Sequence, residues 1–531
     1  MGDMSWRFQR RGPRLLLAVS LLGTLALTSP ARAVAPTPTT SPVLSAGVIA
    51  ENQLPGTTAW QISPTAKVSG IAGFLSRDAA VVGDSVSAYV TTSAATYTVT
   101  AFRMGYYRGL GARSIWQSPV VVGHYQPGCG FTAGVNLVSC ANWSRSLVVP
   151  ITAEFVPGMY LFKLVGSGGQ QAYMPLTIWD PTSTSALLAV GRSMTEQGWN
   201  LFGGYDFYQG RGACAAGAAT YPPCNRARMV SLDRPNSMGN GASDFLWNEW
   251  PLLSLAEEHG LDISYVTDIT LSEHPALMLH HRAILSLGHD ETWTESQRAG
   301  ALTAMRHGVN LVFFGSAAVL RHARLAASPL GVDRVIVNYR DSYEDPLNGH
   351  GNPLEVTGNT FAMAPTGQSP MELTGELYSG YTWPLVTEPL VVHDASSWLY
   401  GGTGLKNGSA IVGVIRNDFD HLALTKYLPP TLHVLAHSPI PAGEVTTSQG
   451  VWSGRTYADT SYWTSPVTRA GVFNAGTVNW IPALRECSPT LCPATAIRVM
   501  TMNVLTIFGA GPVGLSYPAI PNWREVTPLG S

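Results

Sequence analysis

Charged residues are scarce in this sequence, because Asp, Glu, Lys and Arg make up only 12% of the 531 residues and the formal net charge is −2. No basic block and no stripe of basic and aromatic residues occurs, so nucleic acid is not expected as a partner. Past the N-terminus no apolar run reaches the roughly 20 residues that span a membrane. Hydrophobic residues, at 45%, can build a large core. A chain of this length is expected to fold as two or three domains.

Several catalytic signatures are absent as well. The sequence contains no GxSxG elbow, no HExxH motif, no Walker loop and no GxGxxG after a predicted strand. Serine hydrolases, zincins and dinucleotide-dependent enzymes are therefore disfavoured. Any chemistry must rest on other oxygen and nitrogen groups.

The N-terminus has the pattern of a targeting signal. Basic residues precede a short apolar run, and Ala31 and Ala33 are small residues at the two positions that a signal peptidase reads. Residues 1–33 are therefore predicted to be a signal peptide, and the protein is predicted to be secreted into the extracellular space. Six cysteines fit an oxidising compartment. They allow 15 pairings in principle, and their spacing favours the near-neighbour pairs Cys129–Cys140, Cys214–Cys224 and Cys487–Cys492.

Residues 34–50 form a Pro/Thr-rich spacer with little to bury, which predicts a linker. From residue 51 to 179 alternating apolar and polar residues, interrupted by Gly and Pro, predict an all-β, immunoglobulin-like sandwich without helices. A polar stretch at 180–185 marks the predicted domain boundary.

The pattern changes after that boundary. Short apolar runs alternate with helix-length amphipathic segments, which is typical of a parallel, doubly wound sheet. Residues 186–531 are therefore predicted to be an α/β domain of the Rossmann or amidotransferase-like type with extra β segments. The predicted strands span 186–190, 264–267, 283–287, 309–314, 334–339, 410–415, 432–437 and 471–480. The predicted helices span 245–259, 295–307 and 494–508.

One stretch organises this domain. The apolar run 283–287 breaks at Gly288 into His289, Asp290 and Glu291, before a helix that Thr294 can cap. Ligands of open α/β sheets bind at the carboxyl ends of the strands. The first four strands should run parallel, since helix-length crossovers join the last three. The polar residues after them should then gather at one edge: Thr195 to Asn200, Asp268, His289 to Glu291 and Ser316.

Oxygen ligands occur nearby in the sequence. Tyr205 and Tyr208 lie in a Gly-rich excursion after the first of these strands, and Asp418 follows a late β run. A carboxylate with tyrosine oxygens makes a hard, anionic site that suits a trivalent metal acting as a Lewis acid. The alternative is that the tyrosines pack in the core and Glu291 only caps the following helix.

Several segments of the sequence are recognisable, and the most specific is the Gly-His-Asp-Glu-Thr-Trp sequence at 288–293. The others are Glu51 to Thr57, Phe102 to Arg113, Trp199 to Gly204, Asp244 to Trp247 and Phe313 to Gly315. In these segments, and over nearly all of the predicted mature chain, the sequence resembles relatives of the large (beta) subunit of N,N-dimethylformamidase.

The resemblance implies a single iron(III), held by two tyrosines and a glutamate, that polarises an amide carbonyl for attack by water. The family glutamate matches Glu291 with His289 beside it, the second tyrosine matches Tyr208, and the general-base glutamate matches Asp418. The first family tyrosine falls on Trp199, which cannot bind a metal; Tyr205 is the nearest replacement. A family asparagine is replaced by Ala317.

Two functions follow from these residues. The first is a secreted, metal-dependent amidohydrolase acting on linear amides, with Tyr208, Tyr205 and Glu291 as metal ligands and with Asp418 and His289 as catalytic residues. The second is a non-catalytic secreted protein that binds carbohydrate or a cell surface, which Trp199, Ala317 and the 15 Trp and 20 Tyr favour. The substrate would be a small molecule or a cell-surface component.

Overall fold

The computed structural model describes residues 38–214, 223–382, 386–441, 445–447, 450–452, 456–485 and 493–526, and it combines helices with strands as a mixed α/β protein. The predicted signal peptide, 1–33, lies outside the described residues, as do Cys487 and Cys492. The other two predicted disulfides, Cys129–Cys140 and Cys214–Cys224, are confirmed. No helix in the described part of the chain has both the length and the apolar character needed to cross a bilayer.

The N-terminal part consists mainly of two sheets that enclose one core. One sheet has the order β1-β3-β9, and the other has the order β2-β11-β10-β4-β5, with β6 beside β4. The predicted alternation is confirmed on β4, where Tyr97, Val99 and Ala101 are buried between threonines. The bounds are β1 Ile71–Leu75, β2 Ala79–Ala80, β3 Ser85–Thr92, β4 Thr96–Met104, β5 Ala112–Gln117, β6 Val121–Val122, β7 Gly130–Thr132, β8 Leu137–Ser139, β9 Leu147–Pro150, β10 Gly158–Gly166 and β11 Gln171–Ile178.

A helix precedes these strands, where the sequence predicted a linker and then only β structure. Helix α1 (Ala46–Gln53) begins after Ser45, whose side chain accepts a hydrogen bond from the Val48 amide. The helix has only eight residues, which are too few to show a clear apolar periodicity in the sequence. Isolated helices of this length are also marginal in water, so the helix depends on tertiary contacts. A tertiary contact fixes its end, because the Asn52 amide donates to Glu257 at 2.9 Å.

The second part is built on a sheet of order β14-β12-β15-β17-β28-β27-β24. The strands β14, β12, β15, β17 and β28 run parallel, which confirms the predicted direction of the four early strands. β27 runs antiparallel to β28, and β24 runs antiparallel to β27. The bounds are β12 Leu187–Gly191, β13 Met229–Ser231, β14 Ile263–Thr267, β15 Ala283–Gly288, β16 Thr292–Thr294, β17 Asn310–Gly315, β18 Arg321–Ser328, β19 Gly331–Val337, β20 Leu377–Thr382, β21 Glu388–Val391, β22 Ala410–Ile415, β23 Asp418–His421, β24 His433–Ile440, β25 Val445–Thr447, β26 Gly450–Trp452, β27 Thr456–Thr464 and β28 Gly471–Asn474.

Helices pack beside this sheet. Their bounds are α2 Ser193–Gly198, α3 Phe245–Asn248, α4 Trp250–Glu258, α5 Asp268–Glu273, α6 Glu295–Arg306, α7 Met371–Thr374, α8 Trp480–Ala483 and α9 Pro493–Gly509. Thr294 caps α6 as predicted, because its hydroxyl accepts from the Gln297 amide at 3.2 Å. The single helix predicted over 245–259 is instead divided at Glu249. Pro251 explains the break, because its ring cannot continue the preceding turn. The β run predicted over 471–480 was wrong in its second half, which ends in α8.

The two parts share a hydrophobic core across the predicted boundary at 180–185. One cluster of buried side chains contains Phe102 and Leu161 of the β part together with Leu187, Leu253 and Leu285 of the α/β part. The described residues accordingly belong to one compact unit. The division into two domains at this point stays a prediction.

Candidate functional site

The carboxyl ends of the parallel strands are joined by hydrogen bonds between the polar residues that follow them. The Met194 amide donates to Asp268 Oδ2 at 2.9 Å, which links the ends of β12 and β14. The Thr292 amide donates to Thr195 Oγ1 at 3.0 Å, which links the ends of β15 and β12. The predicted gathering at one edge is therefore observed for the segments that follow β12, β14 and β15.

The turn after β15 directs the next three residues into this edge. Gly288 has a φ of +55°, a left-handed conformation that glycine adopts without a steric penalty. A Cβ atom there would lie 2.8 Å from the Asn248 Cβ. Asp290 then accepts a hydrogen bond from Ser286 at 2.8 Å and is fully buried. This anchored turn fixes the positions of His289 and Glu291.

Tyr208 and Glu291 are in direct contact. The Tyr208 hydroxyl donates a hydrogen bond to Glu291 Oε1, and Arg321 Nε lies 3.3 Å from Glu291 Oε2. Asp206 shapes the loop that brings Tyr208 here, because its carboxylate accepts from the backbone amides of Tyr208 and Gln209, both at 2.7 Å. Two residues that are 83 positions apart thus share one oxygen-rich point.

His289 lies between two carboxylates. Its Nε2 is 3.6 Å from Glu291 Oε2 and 4.0 Å from Asp418 Oδ2, and it has no hydrogen-bond partner among the described residues. Burial lowers the pKa of His289, although the Asp418 carboxylate opposes this effect. The imidazole is therefore neutral near pH 7, with a nitrogen available to a ligand. Asp418 begins β23, directly after the left-handed residue Asn417.

Burial raises the pKa of Glu291, and the Arg321 and Arg340 guanidiniums partly offset the increase. Both guanidiniums also lie over the Tyr208 ring, at 5.8 Å and 4.4 Å from its centre. Tyr378 is a further neighbour. Burial and the Asp418 carboxylate, to which its hydroxyl is hydrogen-bonded, raise its pKa well above the usual range.

Sequence reasoning missed Arg321, Arg340 and Tyr378. They stand on or beside β18, β19 and β20, in segments where the sequence has no motif. Only a prediction of how those strands pack against the main sheet could have found them.

Trp199 occupies the place that the resemblance gives to a tyrosine. Its ring stacks on Tyr208, with the ring centres 3.6 Å apart and the planes 11° apart. Its indole Nε1 is buried without a well-formed hydrogen bond, yet it lies close enough to Glu291 to lower the pKa of that carboxyl. Trp199 therefore completes the wall around the Tyr208–Glu291 pair.

Tyr205 and Ala317 lie in other surroundings. The Tyr205 ring packs 5.1 Å from that of Phe131, and its carbonyl accepts from Arg234 at 3.0 Å. A ligand role for Tyr205 stays a prediction. Ala317 has a φ of +56°, and its amide donates to Asp420 at 2.8 Å. Asparagine tolerates this left-handed conformation better than alanine.

A cavity of about 200 Å³ opens beside these residues. His289, Asp418 and Trp199 line it together with residues from α2 and from the segment before α3. The cavity is large enough for a small organic molecule, and His289 is among the residues that line it.

Comparison with known proteins identifies the class of this chain. Residues 98–492 match the family described as "N,N-dimethylformamidase beta subunit-like, C-terminal", and the match spans more than half of the chain. The protein therefore belongs to this family, as the sequence resemblance predicted. The match begins inside β4, so it includes strands of the N-terminal part.

The other comparisons add little. The search of curated proteins finds no match. A solved structure titled as an uncharacterized protein from Bacillus anthracis str. Ames is similar at 17% identity, over 20% of this chain and 84% of its own, with a TM-score of 0.14. A likeness of that size says nothing about fold or function.

Proposed function

We propose that this protein is a secreted, metal-dependent amidohydrolase that hydrolyses the C–N bond of a linear amide. The observation that supports the proposal most is the contact between the Tyr208 hydroxyl and the Glu291 carboxylate, with His289 Nε2 3.6 Å from the same carboxylate. Membership of the N,N-dimethylformamidase-like family supports the same reaction class.

The donor set is compatible with a hard metal ion. Tyr208 and Glu291 supply oxygen atoms, and Tyr205 is the predicted third ligand. An iron(III) ion held there would supply Lewis-acid polarisation of the amide carbonyl. The buried, partnerless Nε2 of His289 is a further group that has no protein contact to satisfy it.

The remaining chemistry belongs to the chain itself. Asp418 has a side chain that is 19% exposed at the cavity, so water can reach it, and it would accept a proton from the attacking water. Neutral His289 would hydrogen-bond the substrate or the water through Nε2. The Trp199 ring, which stacks on Tyr208 and lines the cavity, would cover the substrate on one face.

Metal analysis together with turnover tests the proposal. Purified wild-type protein should contain iron and hydrolyse simple formamides and acetamides. Glu291→Gln should lose the metal and reduce kcat/KM by at least 100-fold. Glu154→Gln, at an exposed position, is the matched control and should change neither value. A wild-type protein without bound metal, with the same behaviour in Glu291→Gln, would rule out the catalytic role.

A second candidate function is non-catalytic binding of carbohydrate or of a cell surface. Trp199 favours it, because an indole stands in the place of a metal ligand and because Arg321 and Arg340 already provide positive charge near Glu291. Trp199→Tyr separates the two functions. If the site has lost its metal through Trp199, this substitution should restore iron binding that the wild-type protein lacks.

The proposal includes an immunoglobulin-like sandwich, a Rossmann or amidotransferase-like second part, and export. The two β sheets of the first part and the parallel strands of the second support the architecture. Two disulfides are compatible with an oxidising compartment. N-terminal sequencing of protein recovered from culture medium tests export, and it should begin near Val34. Protein that keeps its first residues inside the cell would contradict export.

A further inference from the structure

Part of the cavity lining is an acidic wall that the proposed chemistry does not use. This acidic wall consists of Arg192, Glu196, Asp244 and Glu249. The three carboxyl groups place one oxygen each within 4.8 Å of the others. Arg192, Glu196 and Asp244 line the cavity directly, as His289 does.

Arg192 does not compensate the negative charge of all three carboxyl groups of the acidic wall. Its Nε pairs with Glu249 at 3.1 Å, its Nη2 pairs with Asp244 at 2.5 Å, and its Nη1 donates to the His289 carbonyl at 2.9 Å. All three nitrogens are therefore engaged, and none of these bonds reaches Glu196. Burial, then the charges of Glu249 and Asp244, raise the pKa of Glu196 well above its usual range. A cation beside Glu196 would offset both effects.

Two polar residues of the cavity lining have a side-chain oxygen without a hydrogen-bond partner. Glu196 Oε1 is buried without a hydrogen-bond partner, and so is Ser243 Oγ. Ser243 is 5% exposed, lines the cavity and has a φ of +55°, a conformation that serine rarely adopts. Such backbone strain persists where the surrounding structure imposes it, and it clusters at functional sites. Burying a hydroxyl without a hydrogen-bond partner costs folding free energy unless a ligand supplies the missing partner.

We infer that this cavity binds the primary ammonium group of an amino-alkyl amide, with Glu196 and Ser243 as the residues that recognise the ammonium. The inference rests on the proposed function, because the amide of the same substrate would lie toward His289. A compact ammonium has three donors that can reach acceptors on different elements, whereas a planar guanidinium needs paired acceptors.

The surroundings favour an organic cation over a metal ion. Trp199 and Trp247 line the same cavity, and indole faces attract ammonium groups but do not coordinate metals. Asp244 and Glu249 already bind Arg192, which leaves too few free oxygens for the six or more that a calcium ion takes. Trp247, at 50% exposure, is accessible to an incoming ligand.

A matched pair of amides tests this inference by calorimetry on the full-length exported protein. N-acetylputrescine carries an ammonium group, and N-pentylacetamide has the same length without the charge. We expect wild-type protein to bind the charged amide at least tenfold more tightly. Glu196→Gln should abolish that preference, and Ser243→Gly should weaken binding of the charged amide at least threefold. Glu154→Gln is the control and should keep the preference.

Ser243→Gly guards against a folding artefact, because glycine accepts the left-handed backbone and the substitution removes only the hydroxymethyl group. Equal affinity for the two amides, or a preference that survives in both Glu196→Gln and Ser243→Gly, would overturn the inference. Calcium or magnesium that displaces N-acetylputrescine through Glu196 would also overturn it.

The two proposals fail in distinguishable ways. A charge preference without any hydrolysis would support the ammonium site and contradict the amidohydrolase. Hydrolysis of both amides with equal kcat/KM and equal affinity would support the amidohydrolase and contradict the ammonium site.

Discussion

Two buried arginines of this protein pair with carboxylates, and their surroundings differ in whether the neighbouring polar atoms all have partners. Arg103 forms a bidentate pair with Glu257, at 2.7 and 3.1 Å, where α4 meets the β part. Glu257 also accepts from Asn52 and Tyr265. None of these residues has a buried polar atom without a partner. Arg192 is equally buried, but its neighbours Glu196 and Ser243 each have one.

The comparison separates a structural role from a binding role. A complete network fixes the position of two elements and has no capacity for another molecule. An incomplete network beside a cavity leaves polar atoms whose desolvation is not compensated in the free protein. The acidic wall is therefore the part of the molecule where a ligand has most to contribute. Four predictions test this contrast, from the largest expected effect to the smallest.

Arg103→Met should have the largest effect. It leaves Glu257 buried and uncompensated, and removal of one partner of a buried pair costs about 3–5 kcal/mol of unfolding free energy. Chemical denaturation measures this loss. The double variant Arg103→Met with Glu257→Leu should recover part of it, because the unpaired charge is then removed. A loss of less than 1 kcal/mol in the single variant would show that the network is not structural.

The second effect concerns the disulfide that closes the loop after Tyr208. Cys214 and Cys224 are 10 positions apart and bonded. Replacing both by serine should cost roughly 2–3 kcal/mol, because the open chain gains conformational entropy. The Arg103 network lies elsewhere, so the loss should add to that of Arg103→Met in a combined variant. Mass mapping that finds both thiols free in exported protein would remove the basis of this prediction.

Part of the fold and part of the candidate site could be predicted from the sequence. Apolar runs such as 283–287 predicted the parallel strands, because a strand buried on both faces is continuous in sequence. His289, Glu291 and Asp418 could be found, since each follows a predicted strand. Tyr208 could be identified only through the family resemblance. The family match confirms that the chain belongs to this family, but it does not test the role of Tyr208.

The remaining residues depend on tertiary structure. Tyr378 and Arg321 reach the site from strands with no motif, so only the packing of those strands brings them close to Glu291. Ser243 became visible through its φ of +55° and its partnerless hydroxyl, neither of which leaves a trace in the sequence. The Arg103–Glu257 pair joins residues 154 positions apart. Contacts of that range are set by the fold as a whole.

The third prediction concerns the pH dependence of stability, because the pKa values of one carboxyl group in each region are shifted in opposite directions. Burial raises the pKa of Glu249 to about 7, and the Arg192 charge opposes this only in part. Burial also disfavours ionisation of Glu51, beside the Arg103 network, but hydrogen bonds from Arg113 and Tyr107 outweigh it and lower the pKa.

The raised Glu249 pKa contributes stability that is present below the unfolded value of 4.5 and is lost as the pH rises through about 7. The lowered Glu51 pKa contributes stability that is present above 4.5 and is lost as the pH falls through the folded value. The free energy of unfolding of Glu249→Gln, measured relative to that of wild type, should therefore increase by about 1–2 kcal/mol as the pH rises from 5 to 8. Glu51→Gln should lose stability at pH 8 and approach wild type in acid. Parallel pH profiles for the two variants would contradict the contrast.

The smallest effect is expected from Ser243→Gly, and its sign is the most informative. Serine in a left-handed conformation is strained by about 1–2 kcal/mol, and glycine removes that strain. The extra conformational freedom of glycine in the unfolded chain offsets part of the gain, so the net stabilisation should be about 0.5–1 kcal/mol. Thermal unfolding should show a small increase in Tm, while binding of N-acetylputrescine becomes weaker. At Gly111, where φ is +87° and a Cβ would lie 2.8 Å from the Trp250 ring, Gly111→Ser should only destabilise. If Ser243→Gly lowers both Tm and affinity, the serine side chain holds the fold together and its hydroxyl is not kept for a ligand.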